Sequence, residues 1–168
     1  MSDLIPYQRT IVVGVDGSSS SMDALRVAAS LVPLAGDVIN AVAVWQWPLV
    51  IGLYSPPNQD YEHLASTALD RAVVGAFPFG TPSTVVRTVT RGLPPEALLK
   101  ESEGASLLIV GAHAHDPVAY LCDPVSAAVA ERATCPVLIC HGTLELIAAQ
   151  ETALRHEGEA SRRTTEKI

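Results

Sequence analysis

Leu107-Leu108-Ile109-Val110 and Ile11-Val12-Val13 are apolar from end to end, with no polar residue at alternate positions. A strand with one wet face alternates apolar and polar residues, whereas a strand covered on both faces does not. These two runs therefore belong in the middle of a sheet that is layered between helices. That requirement already favours an α/β fold over a sandwich or a helical bundle.

The remaining segments supply the other layers. Thr10-Ile11-Val12-Val13-Gly14-Val15 reads as the first strand, followed by Asp16-Gly17-Ser18-Ser19-Ser20-Ser21, a turn rich in helix-capping residues. The spacing predicts a helix from about Ser21 to Leu34, with Met22, Leu25, Ala28, Ala29 and Val32 inward and Gly36 as its stop. A second strand is expected over Asp37 to Trp45. An irregular excursion follows, from Gln46 to Asp60, marked by Pro48, Gly52, Pro56 and Pro57. Tyr61 to Ala76 reads as a helix that buries Leu64, Ala68, Leu69, Ala72 and Val73. Thr84 to Thr90 is a branched strand. Pro94-Pro95 opens a helix towards Glu103, where a missing N–H costs little. Ala105 to Gly111 is a strand, Val125 to Ala133 a helix, and Cys135-Pro136-Val137-Leu138-Ile139-Cys140 a last strand. Strands and helices alternate five times, which predicts a parallel sheet with right-handed crossovers and helices on both faces. One domain is expected over residues 1–142. The tail over 143–168 carries a weak helical stripe (Leu144, Ile147, Ala148, Leu154) and turns polar and frayed from His156.

Composition narrows the function classes. With 48% hydrophobic and 17% charged residues the chain has enough apolar material for one core. A net charge of -7 with 11 scattered basic residues argues against nucleic-acid binding, which needs a concentrated basic face. The apolar runs are strand-length and far short of a membrane span. Met1-Ser2-Asp3-Leu4-Ile5-Pro6 does not resemble a secretory signal. Cys122, Cys135 and Cys140 are odd in number and lack Cys-x-x-Cys spacing, which suits reduced thiols and a cytoplasmic location.

In an open α/β sheet, ligands bind beyond the C-terminal strand ends, where the strand order reverses. Two segments suit that place. In Gly14-Val15-Asp16-Gly17-Ser18, Asp16 can accept from a ribose hydroxyl or an adenine amine; equally, Asp16 or a following serine caps the helix. The loop Gly111-Ala112-His113-Ala114-His115-Asp116 precedes a helix whose amides suit phosphate.

In order along the chain, Ile11-Val12-Val13-Gly14-Val15-Asp16-Gly17-Ser18, Gly92-Leu93-Pro94-Pro95-Glu96-Ala97-Leu98-Leu99, Leu107-Leu108-Ile109-Val110-Gly111, Val125-Ser126 and Cys135-Pro136-Val137-Leu138-Ile139 resemble the universal stress proteins over residues 9 to 141. The resemblance implies a Rossmann-like, adenine nucleotide alpha hydrolase-like sheet with strand order 3-2-1-4-5. It also implies a crevice between strands one and four, and a homodimer formed by antiparallel pairing of the edge strand Pro136 to Cys140. Adenine would sit near Asp16 and near Val42, Ala43 and Val44. ATP-binding members carry Gly-x-x-Gly, nine residues, then Gly-Ser/Thr. Here Gly111 is present, Ala114 replaces the second glycine, and Asp123-Pro124 or Pro124-Val125 replaces the last pair, ahead of Ser126. Proline has no N–H to donate and an aspartate repels a triphosphate, so of the adenine nucleotides (ATP, AMP or cyclic AMP) an adenosine-like or cyclic monophosphate ligand is less affected by these changes than ATP. His113 and His115 offset this little, being mostly neutral at pH 7 with an ordinary pKa of ~6.5.

Other readings compete. His113-x-His115-Asp116 has two zinc-type ligands and an acid but no third distant ligand, so a solvated loop is the plainer account. Cys122 lacks an oriented base. Ser18 to Ser21 lack a Gly-x-Ser-x-Gly setting and read as capping residues. Trp45 and Trp47 line a crevice mouth or pack in the core. The apolar segment Cys135 to Cys140 is paired with a second copy or covered by the tail from Leu144. Three functions follow: a non-catalytic, stress-responsive nucleotide sensor; an interaction protein with a vestigial crevice; and a nucleotide-dependent enzyme, for which no catalytic residue is identifiable.

Overall fold

The computed structural model describes residues 9–32, 37–46, 60–112 and 124–141. Within them the chain runs β1 (Thr10–Gly14), α1 (Ser19–Leu31), β2 (Val38–Trp45), α2 (Tyr61–Ala76), β3 (Val85–Arg91), α3 (Pro94–Glu101), β4 (Leu107–Ala112), α4 (Pro124–Arg132) and β5 (Val137–His141). All the strands pair in parallel, in the order β3-β2-β1-β4-β5. The unbroken apolar runs take the centre as expected: Val12, Val13, Leu108 and Ile109 are fully buried.

Side chains alternate across each strand, so the sheet builds two separate cores. On one face, Ile11 and Val13 of β1, Ile39 and Ala41 of β2 and Ile109 of β4 pack beneath α1 and α2. On the other, Val12, Val42, Leu108 and Val110 meet Leu98 of α3 and Val129 of α4.

The differences from the sequence reading have local causes. Helix α1 begins at Ser19 rather than Ser21, because Ser18 is the cap: its Oγ accepts from the Ser21 N–H at 3.2 Å, and the Ser21 hydroxyl donates back to Ser18 O at 2.9 Å. Ala24, absent from the expected stripe, is fully buried, while Met22 and Ala29 are half-buried. Helix α2 has the expected bounds but buries only its second half, Leu69, Ala72, Val73 and Ala76; Leu64 and Ala68 are exposed. Helix α1 ends at Leu31 rather than Leu34, and elsewhere the element bounds move by one or two residues. The Gly36 stop, the tail from residue 142 and most of the excursion after Trp45 lie outside the described residues.

Two polar ties fix the layers. Arg9 donates to Asp37 Oδ2 from Nε (3.1 Å) and Nη2 (2.7 Å) and from its own N–H to Oδ1 (3.1 Å), joining the starts of β1 and β2. Arg26 reaches from α1 to the carbonyls of Ala76 (3.2 Å) and Gly75 (3.0 Å), a cation placed at the negative end of α2.

Candidate functional site

The order β3-β2-β1-β4-β5 makes the chain step outward from β1 to β3 and then return to the other side of β1 as β4. Strands β1 and β4 pair from Ile11↔Leu107 to Val13↔Ile109. Beyond that register their connections part, since α1 covers one face and α4 the other. The parting leaves a crevice at the strand tips, the place where such sheets hold ligands.

A half-open cleft of about 150 Å³ occupies this position. Gly14, Val15 and Asp16 form one wall, and Val110 and Gly111 of β4 the opposite one. Val42 and Val44 line it from β2, Pro94 and Leu98 from α3, Ser21 from α1 and Val125 from α4. Its surface is mainly apolar; among the described residues, Asp16 and Ser21 are the polar side chains that line it.

Each wall has a local cause. The turn after β1 needs Gly17, whose φ of 86° lies where side chains are strained. Within that turn, Asp16 Oδ1 accepts the Ser18 N–H at 2.9 Å, so the carboxylate is held at the mouth of the cleft by the helix cap that follows it. Gly111 answers a different demand. A Cβ there would lie 2.7 Å from the Ser20 carbonyl carbon and 2.7 Å from the Ser21 nitrogen, so only glycine lets the first turn of α1 rest on the tip of β4. The end of β1 is tied the other way, with Val15 N–H donating to Val42 O at 2.8 Å.

This chain matches the universal stress protein family over residues 8–141. It belongs to that family. Relatives include a universal stress protein of Mycobacterium tuberculosis, 29% identical over 146 residues that make up 83% of this chain and 47% of the relative. Another, from Mycolicibacterium smegmatis, is 29% identical over 130 residues, or 77% of this chain and 44% of the relative. The chain thus spans about half the length of these relatives. Among solved structures, a universal stress protein in complex with cAMP is 27% identical, with a TM-score of 0.59 and coverage of 81% of this chain and 98% of that one. A universal stress protein from Archaeoglobus fulgidus in complex with dAMP, 20% identical with a TM-score of 0.57, covers 80% of this chain and 98% of that one. The last likeness is one of fold.

Of the residues singled out in the sequence, this universal stress protein brings Gly14, Asp16, Val42, Val44, Gly111 and Val125 together around the cleft. Gly17 and Ser18 shape the turn beside it. Ala43 does not line it; strand alternation turns it to the opposite face, into the core beneath α1 and α2. Ala112 and Ser126 are buried away from the lining. His113, Ala114 and His115 lie outside the described residues, as do Asp116, Cys122 and Trp47. Trp45 is also absent from the lining: the Arg91 guanidinium lies 5.5 Å from its ring centroid. No group of three metal-ligating side chains is found among the described residues.

The sequence reading missed Ser21, Pro94, Leu98 and Val110 as lining residues, and Val15 was placed in the turn segment without being singled out. For Val110 a signal was present, because it shares the strand face of Leu108 and precedes Gly111 at the tip. For Ser21, Pro94 and Leu98 the signal is tertiary, since their places depend on how closely α1 and α3 approach the sheet.

Proposed function

We propose that this universal stress protein binds an adenine nucleotide in the cleft between the tips of β1 and β4 and acts as a non-catalytic sensor in a stress response. One observation carries the reading. Asp16, Val42 and Val44 converge on an apolar cleft at the point where the strand order reverses. A flat purine suits the valine walls, and a carboxylate at the rim suits a ribose hydroxyl or an exocyclic amine. A relative 27% identical to this chain is described in complex with cAMP, which supports the same class of ligand here.

Equilibrium titration with a fluorescent adenine nucleotide tests the reading. The expected result is saturable binding that falls at least about tenfold in Asp16→Ala, a loss of about 1.4 kcal/mol. Binding left unchanged by Asp16→Ala, or turnover of the nucleotide abolished by it, contradicts the proposal.

A homodimer through β5 completes the proposal. The strand lies on the sheet edge and, apart from His141 at its end, carries no titratable side chain except the Cys140 thiol. Burial, and then the nearby Asp23 carboxylate, push that thiol above its ordinary pKa and keep it uncharged. Leu138 stands 37% exposed there. The other edge, β3, carries Arg87, paired to Asp70 at 3.1 Å, and Arg91, the kind of charge that protects an open edge. Light scattering should report a dimer for the wild-type chain and a monomer for Leu138→Lys; a wild-type monomer at working concentration contradicts the proposed pairing.

A further inference from the structure

We infer that the cleft recognises the nucleoside and is indifferent to the number of phosphates attached, so that adenosine alone is a full ligand; this rests on the adenine reading above. Among the described residues that line the cleft there is no Lys, Arg or His, and the one charged side chain is Asp16. A carboxylate only accepts hydrogen bonds, so it meets hydroxyls and amines rather than phosphate oxygens.

Ser21 points to the same chemistry. Its side chain is fully buried and its residue is 1% exposed, yet it lines the cleft. Both of its donors are committed to Ser18: the N–H to Oγ and the hydroxyl to the backbone carbonyl. Neither donor is therefore left over for a ligand. The next amide, Met22 N–H, is also taken by Ser18 O at 3.1 Å. At this helix start the Ser21 and Met22 amides are thus already paired within the chain.

The second helix that begins at the cleft has lost a donor as well. Helix α4 reaches the lining through Val125 and opens on Pro124, which has no N–H. A net charge of -7 adds a long-range field that opposes the approach of a multiply charged anion. Donor-bearing parts of a ligand are favoured inside the cleft, and nothing described in its walls rewards added phosphates.

The test is calorimetric titration of the full chain with adenosine, AMP, cyclic AMP and ATP, each at low and high salt. The expected dissociation constants differ by less than about tenfold across the set and change little with salt. ATP binding about tenfold or more tightly than adenosine, with an affinity that salt weakens, overturns the inference and leaves the adenine reading standing. No binding by any of the ligands overturns both. Pro124→Ser, checked for folding by circular dichroism, restores one N–H at the start of α4 and should raise the affinity for ATP relative to adenosine. An unchanged ratio contradicts the role assigned to Pro124.

Discussion

The two faces of the sheet are built to different depths. Beneath α1 and α2 the described core gathers fifteen buried residues, from Ile11 to Ile109, with Leu25, Ile39 and Val73 fully enclosed. Beneath α3 and α4 it gathers six, and three of these (Val42, Leu98 and Val110) also line the cleft. The first face lends only Val15 to the cleft and otherwise holds the strands in register, while the other shares half of its buried residues between packing and a ligand. The contrast teaches where this family member keeps its rigidity and where it can accept a guest. Gly111 lies between the two, because the first turn of α1 on the deep face rests against the strand tip that bounds the cleft.

The contrast can be broken by truncating matched leucines. Leu25→Ala empties a fully buried site on the deep face and should cost about 2–5 kcal/mol in chemical denaturation. Leu98→Ala borders the cleft, into which neighbouring groups and water can relax, so its cost should fall at the low end of that range. An equal or larger loss for Leu98→Ala would remove the asymmetry.

Gly111→Ala sharpens the same comparison with a smaller effect. The added methyl must displace the Ser20–Ser21 backbone, an overpacking cost of about 1–3 kcal/mol. Thermal unfolding measures the loss, and nucleotide affinity should fall with it because Ser21 and the Gly111 wall shift together. Wild-type stability and affinity in this variant would show that the two faces do not meet there.

The smallest effect lies at the starts of β1 and β2, the end of the sheet opposite the cleft. Hydrogen bonds from the Arg9 side chain and then from its backbone N–H hold the Asp37 carboxyl below the usual carboxylate range, outweighing burial, which acts the other way. The folded chain therefore takes up this proton at a lower pH than the unfolded chain does. The resulting stability is complete above the ordinary aspartate pKa of about 4 and is lost as pH falls through the lower folded-state value. Denaturation of Arg9→Met and wild type across pH 2.5 to about 7 should show a gap that narrows below about pH 4. A gap of constant size would deny the pair its role.

The fold was legible because its signals are local. Unbroken apolar runs marked β1 and β4 as central, and Tyr61 to Ala76 was a periodic helix with clear bounds. The depth of burial along α2 was not legible, because periodicity gives a helix its inner face but not how far that face overlaps the strands; Leu64 sits on the stripe and is 48% exposed. Four consecutive serines are equivalent as caps in the sequence, and the structure chooses Ser18 because the Asp16 turn delivers it there. At the site, Val42 and Val44 were legible from their place on β2, but Ala43 between them belongs to the other face by alternation. Ser21 could not be read out, since its place in the cleft depends on α1 settling against Gly111.

Mapping of amide NMR shifts during an AMP titration tests the proposed site most directly. Shifts should concentrate at Gly14 to Ser18, Val42 to Val44, Gly111 and the first turn of α4, and fade towards β3. Shifts centred on α2 or β3, or none at saturating AMP, would contradict a binding site between the tips of β1 and β4.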